Sequence, residues 1–131
     1  MNTANDKPLA FLDVDGAISP FNFPRNLAEI SFTTDLFGKR IGCAIPYGMK
    51  ERVYRLRKIC DVIWFTAWQE AANYHICGRL GIPDMPVGFI DVNYYRAGVT
   101  WKLPFLQDYL HKNAIKRPAV WIDDDIFNDN W

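Results

Sequence analysis

The sequence predicts a single α/β domain built on a parallel sheet, and three observations carry that prediction. Short apolar runs, Leu9 to Leu12, Val62 to Phe65 and Ala119 to Ile122, are long enough for strands and too short for helices. Being apolar at successive positions, they read as strands buried on both faces, as strands of parallel sheets are. They alternate with segments of helical period, the pattern that places a sheet between layers of helix. A chain of 131 residues, half of them hydrophobic, buries a genuine core in one domain spanning residues 1–131 and excludes disorder. Its formal net charge of zero argues against a strong, sequence-independent grip on nucleic acid.

Each element follows in order. Leu9 to Leu12 is the first strand. Ala17 to about Pro46 is rich in Pro, Phe, Asn and Thr, has no helical period and is interrupted by Pro20 and Pro24. It is expected to form a loop or short hairpin flap beside the end of the first strand. Tyr47 to Cys60 reads as a helix with Val53, Leu56, Ile59 and Cys60 on one face and a solvated group of Arg52, Arg55, Arg57 and Lys58. Val62 to Phe65 is the second strand. Gln69 to Leu80 is a helix, stopped by Gly81 and Pro83.

Val87 to Ile90 makes a weaker third strand. The Asp91 to Gly98 loop then leads to a helix from Trp101 to Lys112, where Pro104 is tolerated in the first turn. Pro118 precedes the last strand, Ala119 to Ile122. The chain stops soon after Asp125, where such folds usually pack another helix or strand, so a minimal or truncated C-terminus is expected.

Cys43, Cys60 and Cys77 are far apart and form no CxxC pair, which predicts buried free thiols in a reducing compartment. His75 and His111 have no neighbouring ligand residues and read as structural or surface. The N-terminus lacks the apolar region of a signal peptide, and no apolar run reaches membrane-spanning length. A soluble cytoplasmic protein is the expectation; the oligomeric state is not legible.

Two Asp-rich segments directly follow the first and last apolar runs: Leu-Asp-Val-Asp-Gly, Leu12 to Gly16, and Ile-Asp-Asp-Asp, Ile122 to Asp125. Carboxylates at the carboxyl ends of adjacent parallel strands converge where open α/β sheets bind ligands. Packed together they repel unless a cation or protons offset the charge. That pattern points to a Mg²⁺-centred phosphoryl-transfer site. A calcium loop is the other source of DxDG, but residues 17–24 supply neither the further ligands nor the distal Glu.

Asp13-Val14-Asp15-Gly16 after a strand resembles motif I of the haloacid dehalogenase (HAD) superfamily. Thr66, directly after the second strand, resembles motif II, Lys102 opening a later helix resembles motif III, and Asp123-Asp124 resembles motif IV. The finer wording is similar to the small HAD domains of "Swiss Army Knife" RNA-repair proteins: Thr66-Ala67-Trp68 with Ala72-Asn73, Leu80-Gly81-Ile82-Pro83, Trp101-Lys102 and Trp121-Ile122-Asp123-Asp124. The resemblance implies a three-layer Rossmann-like fold, a central parallel sheet and a minimal cap consisting of the flap alone.

By that resemblance Asp13 is the nucleophile, forming an aspartyl-phosphate. Asp15 protonates the leaving oxygen and later activates water; Asp rather than Thr at this position suits hydrolysis. Mg²⁺ is held by Asp13, the backbone carbonyl of Asp15 and an acid of motif IV, with Asp124 favoured as direct ligand and Asp123 orienting it or the lysine. Thr66 donates to the phosphoryl group or caps a helix, roles that can coexist. Lys102 neutralises the phosphate and steadies Asp13, and Gly16 permits a tight turn near it.

Trp68, Tyr94, Tyr95, Trp101 and Arg96 either offer stacking surfaces to a base or pack the core. Asn73 orients the flap, touches substrate or sits exposed on its helix. The implied substrate is a phosphorylated nucleic-acid end, RNA or DNA, or a nucleotide. Alternatives are a small-metabolite or phosphoprotein phosphatase with the same residues, and a catalytically silent binding protein that keeps the fold. No membrane partner is expected.

Overall fold

The computed structural model describes residues 7–127. Its elements are β1 (Leu9–Leu12), β2 (Ala28–Leu36), β3 (Lys39–Pro46), α1 (Met49–Ile59), β4 (Asp61–Trp64), a π-helical turn (Asn73–Cys77) running into α2 (Gly78–Leu80), α3 (Leu103–Lys112) and β5 (Ala119–Ile122), with short 3₁₀ turns at Arg25–Leu27 and Val92–Tyr94.

The sheet is parallel, in the order β4-β1-β5. Leu9 lies opposite Asp61 on one side and Ala119 on the other, and the register holds to Leu12, opposite Trp64 and Ile122. Two hydrogen bonds carry the ladder past the strand ends, Phe65 N–H to the Leu12 carbonyl at 2.8 Å and Asp13 N–H to the Ile122 carbonyl at 3.0 Å. The residues after all three strands therefore emerge side by side at one edge. That shared register is what makes a site from segments about fifty residues apart.

Strand alternation separates two cores. Ala10 and Leu12 face a cluster shared with α1, the 71–80 helical segment and the hairpin; Leu9 and Phe11 face α3. Phe11 meets Phe65 and Tyr109 edge-on at 5.5 and 5.4 Å. Phe11, Trp64 and Phe65 are completely buried, each contributing about 1.5–3 kcal/mol or more by leaving water. Cys43, Cys60 and Cys77 are buried free thiols. Among the described residues no helix is long and apolar enough to cross a membrane.

Several elements differ from the sequence expectation. The flap takes the hairpin form, one of the two expected, but its strands have 9 and 8 residues, so it is not short. Its signal is a period of two: Ile30, Phe32 and Leu36 with Ile41, Cys43 and Ile45 turn inward to the core, and a search for helical period passes over them. Phe37 and Gly38 connect the strands with φ of 56° and 71°, the two-residue left-handed turn whose twist suits a hairpin.

In α1 the buried stripe is Met49, Val53 and Leu56 leading to Cys60, while Ile59 is 66% exposed. Residues 66–70 form turns, with Gln69 at φ 52°, and the helix starts only afterwards. Val87 contributes a single bridge to Trp64 rather than a strand. Pro86 has no N–H to donate, and Gly88 lies so close to Phe65 that a Cβ would come within 2.8 Å of its ring. β5 is the edge of the sheet, not an interior strand: Ala119 and Val120 are exposed, Trp121 and Ile122 half-buried.

Asn73 is a buried knot and not an exposed helix residue. Its Oδ1 accepts from Trp64 Nε1 at 3.0 Å and Met85 N at 2.9 Å, while its Nδ2 donates to Glu70 Oε1 at 2.8 Å and the Met85 carbonyl at 2.9 Å. Asn73→Ala orphans several buried groups at once and is expected to lose about 2–4 kcal/mol of stability by chemical denaturation. A loss below about 1 kcal/mol would mean that water replaces the amide.

Candidate active site

The site is assembled at the carboxyl edge of the sheet. β1 is its middle strand, so Asp13 emerges between Thr66, which follows β4, and Asp123, which follows β5. Alternation aims Asp13 to the α3 side, as it does Leu9 and Phe11. Lys102 stands at the N-cap of α3 on that same side. A cation is unfavourable at a helix N-terminus, and what offsets it are two carboxylates. Lys102 Nζ lies 2.6 Å from Asp123 Oδ2 and 3.1 Å from Asp13 Oδ2, all three side chains being almost completely buried.

Asp13 is further held by its neighbours. The Val14 N–H donates to Asp13 Oδ1 at 2.8 Å, and the Thr66 side chain favours the charged form of the same carboxyl. Thr66 also starts its turn, since the Trp68 N–H donates to its hydroxyl at 3.2 Å. Thr66 thus closes a turn rather than capping a helix, since the helix begins only at residue 71.

The three consecutive aspartates part company. Asp123 has both oxygens engaged, Oδ2 by Lys102 and Oδ1 by the Asp125 N–H at 2.8 Å. Asp125 in turn accepts from Trp101 Nε1 at 2.7 Å. Asp124 points the other way, against Gly16, where an added Cβ would come within 2.5 Å of its Cγ. Gly16, at φ 82°, thus lets the loop after β1 touch the loop after β5.

One oxygen each from Asp13, Asp123 and Asp124 lies within 4.8 Å of the others. Burial pushes the Asp13 carboxyl up to about 7, Asp123 adding to the rise and Lys102 opposing it. Asp124 is also raised, by burial and by Asp123. Burial pulls the Lys102 ammonium down, but Asp13 and Asp123 outweigh it and the net direction is up. Lys102 thus stays charged beside Asp123, while burial disfavours the charged form of Asp13. Three carboxylates against one ammonium, with an oxygen from each of Asp13, Asp123 and Asp124 in one group, fit a divalent cation that binds oxygen.

Asp15 is not among these oxygens. Its Oδ2 accepts from Trp68 Nε1 at 3.0 Å, which holds the carboxylate away from the three grouped aspartates. Trp68, expected at the substrate, is only 3% exposed, and its ring packs edge-on to Phe32 of β2 and to His75. It contributes an N–H that fixes Asp15. The hairpin therefore reaches the site through Phe32 and Trp68. Neither this bond nor the Trp101–Asp125 bond was legible beforehand; the one available signal was that each Trp sits within two residues of Thr66 or Lys102.

A cavity of ≈ 290 Å³ lies over the carboxylates, with Asp13, Asp15, Lys102 and Asp124 on its floor and Phe21, Val92, Tyr95 and Trp101 among its walls. Compared with known proteins, the chain matches no family model, no curated protein and no solved structure.

Proposed function

We propose that this chain is a Mg²⁺-dependent phosphomonoester hydrolase of the HAD type, with the hairpin as its minimal cap. The observation that carries the reading is the arrangement around Asp13. A buried carboxylate just past the middle strand is ringed by a hydroxyl from the end of β4, an ammonium from the start of α3 and two further carboxylates from the end of β5.

In this reading an Asp13 oxygen attacks phosphorus and the ester P–O bond breaks, with Asp15 giving its proton to the leaving oxygen. Water then attacks the aspartyl-phosphate and passes a proton to Asp15, which restores Asp13 and releases phosphate. Lys102 and Thr66 donate to the equatorial oxygens, where the transferring group spreads its charge. Asp13, Asp124 and the Asp15 carbonyl hold the cation, which supplies neutralising charge at the phosphate. Trp68 leaves Asp15 one free oxygen in a fixed orientation. The favoured substrate class is a nucleotide or a phosphorylated nucleic-acid end.

The test is phosphate release by the full chain with Mg²⁺ and with chelator. The panel is a 3′-phosphorylated RNA oligonucleotide, its 5′-phosphorylated twin, nucleoside monophosphates and a sugar phosphate. Release from nucleotide substrates that stops on chelation is the expected result. Release from the sugar phosphate alone moves the enzyme to small metabolites. No release from any of them, by folded protein that binds Mg²⁺, sinks the hydrolase reading and leaves a silent binding module.

A further inference from the structure

Next to the carboxylate cavity lies a second, larger cleft of ≈ 840 Å³. The two share one wall, Trp101. That indole is fixed by its bond to Asp125 and by edge-on contacts with Tyr95 and Phe105 at 5.7 and 6.5 Å. Three further rings line the cleft, Phe89, Tyr94 and Phe105, among Asp91, Arg96, Asp108 and Lys112. Phe89 and Tyr94 stand 68% and 64% exposed, and each packs its ring edge-on to Phe105, at 5.9 and 5.7 Å.

The segment leading into Trp101 is unusual in the same sense. Residues 92–99 are all exposed, yet they include Val92, Tyr94, Tyr95 and Val99. Val92 and Tyr95 line the carboxylate cavity, while Tyr94 and Val99 line the cleft. A concentration of exposed rings next to a polar site marks a binding surface rather than a misplaced core.

We propose that this cleft holds the nucleobase of the phosphorylated substrate, with Tyr94 and Phe89 stacking on it and Trp101 dividing it from the phosphate. The proposal rests on the phosphatase reading of the neighbouring carboxylates. Ring against ring suits a flat base better than an alkyl chain, because edge-packed aromatics keep their faces open. Arg96 lines the cleft and can stack on a base or pair with a phosphate. Lys112, also at the cleft, is taken up by Asp108 at 2.9 Å, so this is no polycationic track for a long strand. One or a few terminal nucleotides fit the charge.

The test separates base recognition from catalysis. Adenosine monophosphate and ribose 5-phosphate are titrated into the full chain in chelator, where no turnover occurs, following the Trp101 indole resonance. The base is expected to tighten binding roughly tenfold or more. In the double variant Phe89→Ala, Tyr94→Ala that advantage should shrink to about twofold; both side chains are exposed, and a thermal melt checks the fold. Equal binding of the two ligands, or an advantage that survives the substitutions, overturns the proposal. So does a wild-type dimer in sedimentation that the double variant dissociates, since the rings then belong to an interface between copies. Phosphate release with Mg²⁺ is scored separately. Binding of the base without hydrolysis keeps the cleft and rejects the phosphatase; hydrolysis indifferent to the base does the reverse.

Discussion

Asp13→Asn is expected to abolish Mg²⁺-dependent phosphate release, by on the order of 10³-fold or more, while making the metal-free protein more stable. The two effects have one cause. Asp13 is raised from 3.8 to about 7 because burial and Asp123 disfavour its charge more than Lys102 supports it. A carboxyl whose folded-state pKa lies above its unfolded value favours folding while it stays protonated. That contribution is lost as pH rises from about 4 to about 7 and stays lost above. At pH 8 in chelator the neutral amide should therefore gain about 2 kcal/mol over the wild type, and little at pH 4. Mg²⁺ should raise the melting temperature of the wild type and leave that of the variant almost unchanged. Thermal melts at both pH values, with and without Mg²⁺, check this; a variant less stable than wild type at pH 8 in chelator would falsify the account of a strained carboxylate cluster.

Lys102→Met should fail in the opposite direction. It removes the ammonium that lies 2.6 Å from Asp123 and 3.1 Å from Asp13 and leaves two buried carboxylates facing each other. Breaking such a buried arrangement by removing one partner costs about 3–5 kcal/mol, which for a domain of this size is more than roughly 10 °C of melting temperature. Without the lysine Asp13 loses the charge that opposes its rise, so the penalty should grow from pH 5 to pH 8. Activity should fall about 10²-fold or more through loss of a donor to the phosphoryl oxygens. Melting temperatures within about 3 °C of wild type at pH 8 would show that the lysine has no electrostatic task between the two aspartates.

How much of this was readable beforehand depends on the range of the interaction. The strand runs, the helix stops at Gly81 and the first-turn Pro104 are local rules, and β1, β5, α3 and the end of α2 lie where those rules put them. The hairpin was equally local in its alternation, but Asp35, Thr33 and Glu29 on its outer face hid it among polar residues. Asn73 was misjudged because its partners, Trp64 and Met85, come from two other segments.

By itself, then, the sequence determined that carboxylates follow two apolar strands, that a Thr follows a third and that a Lys opens a helix. Strand periodicity and chain order suffice for that. Only the tertiary structure decided which aspartate does what. With β5 parallel to β1 in this register, Asp123 shares the α3 side with Lys102, and Asp124 turns to Gly16. It also decided that Trp68 holds Asp15, that β5 is an edge, and that the exposed rings gather beside Trp101. Those outcomes follow from which distant segments become neighbours, and partner choice across a sheet is settled by packing rather than by any pattern within one stretch of chain.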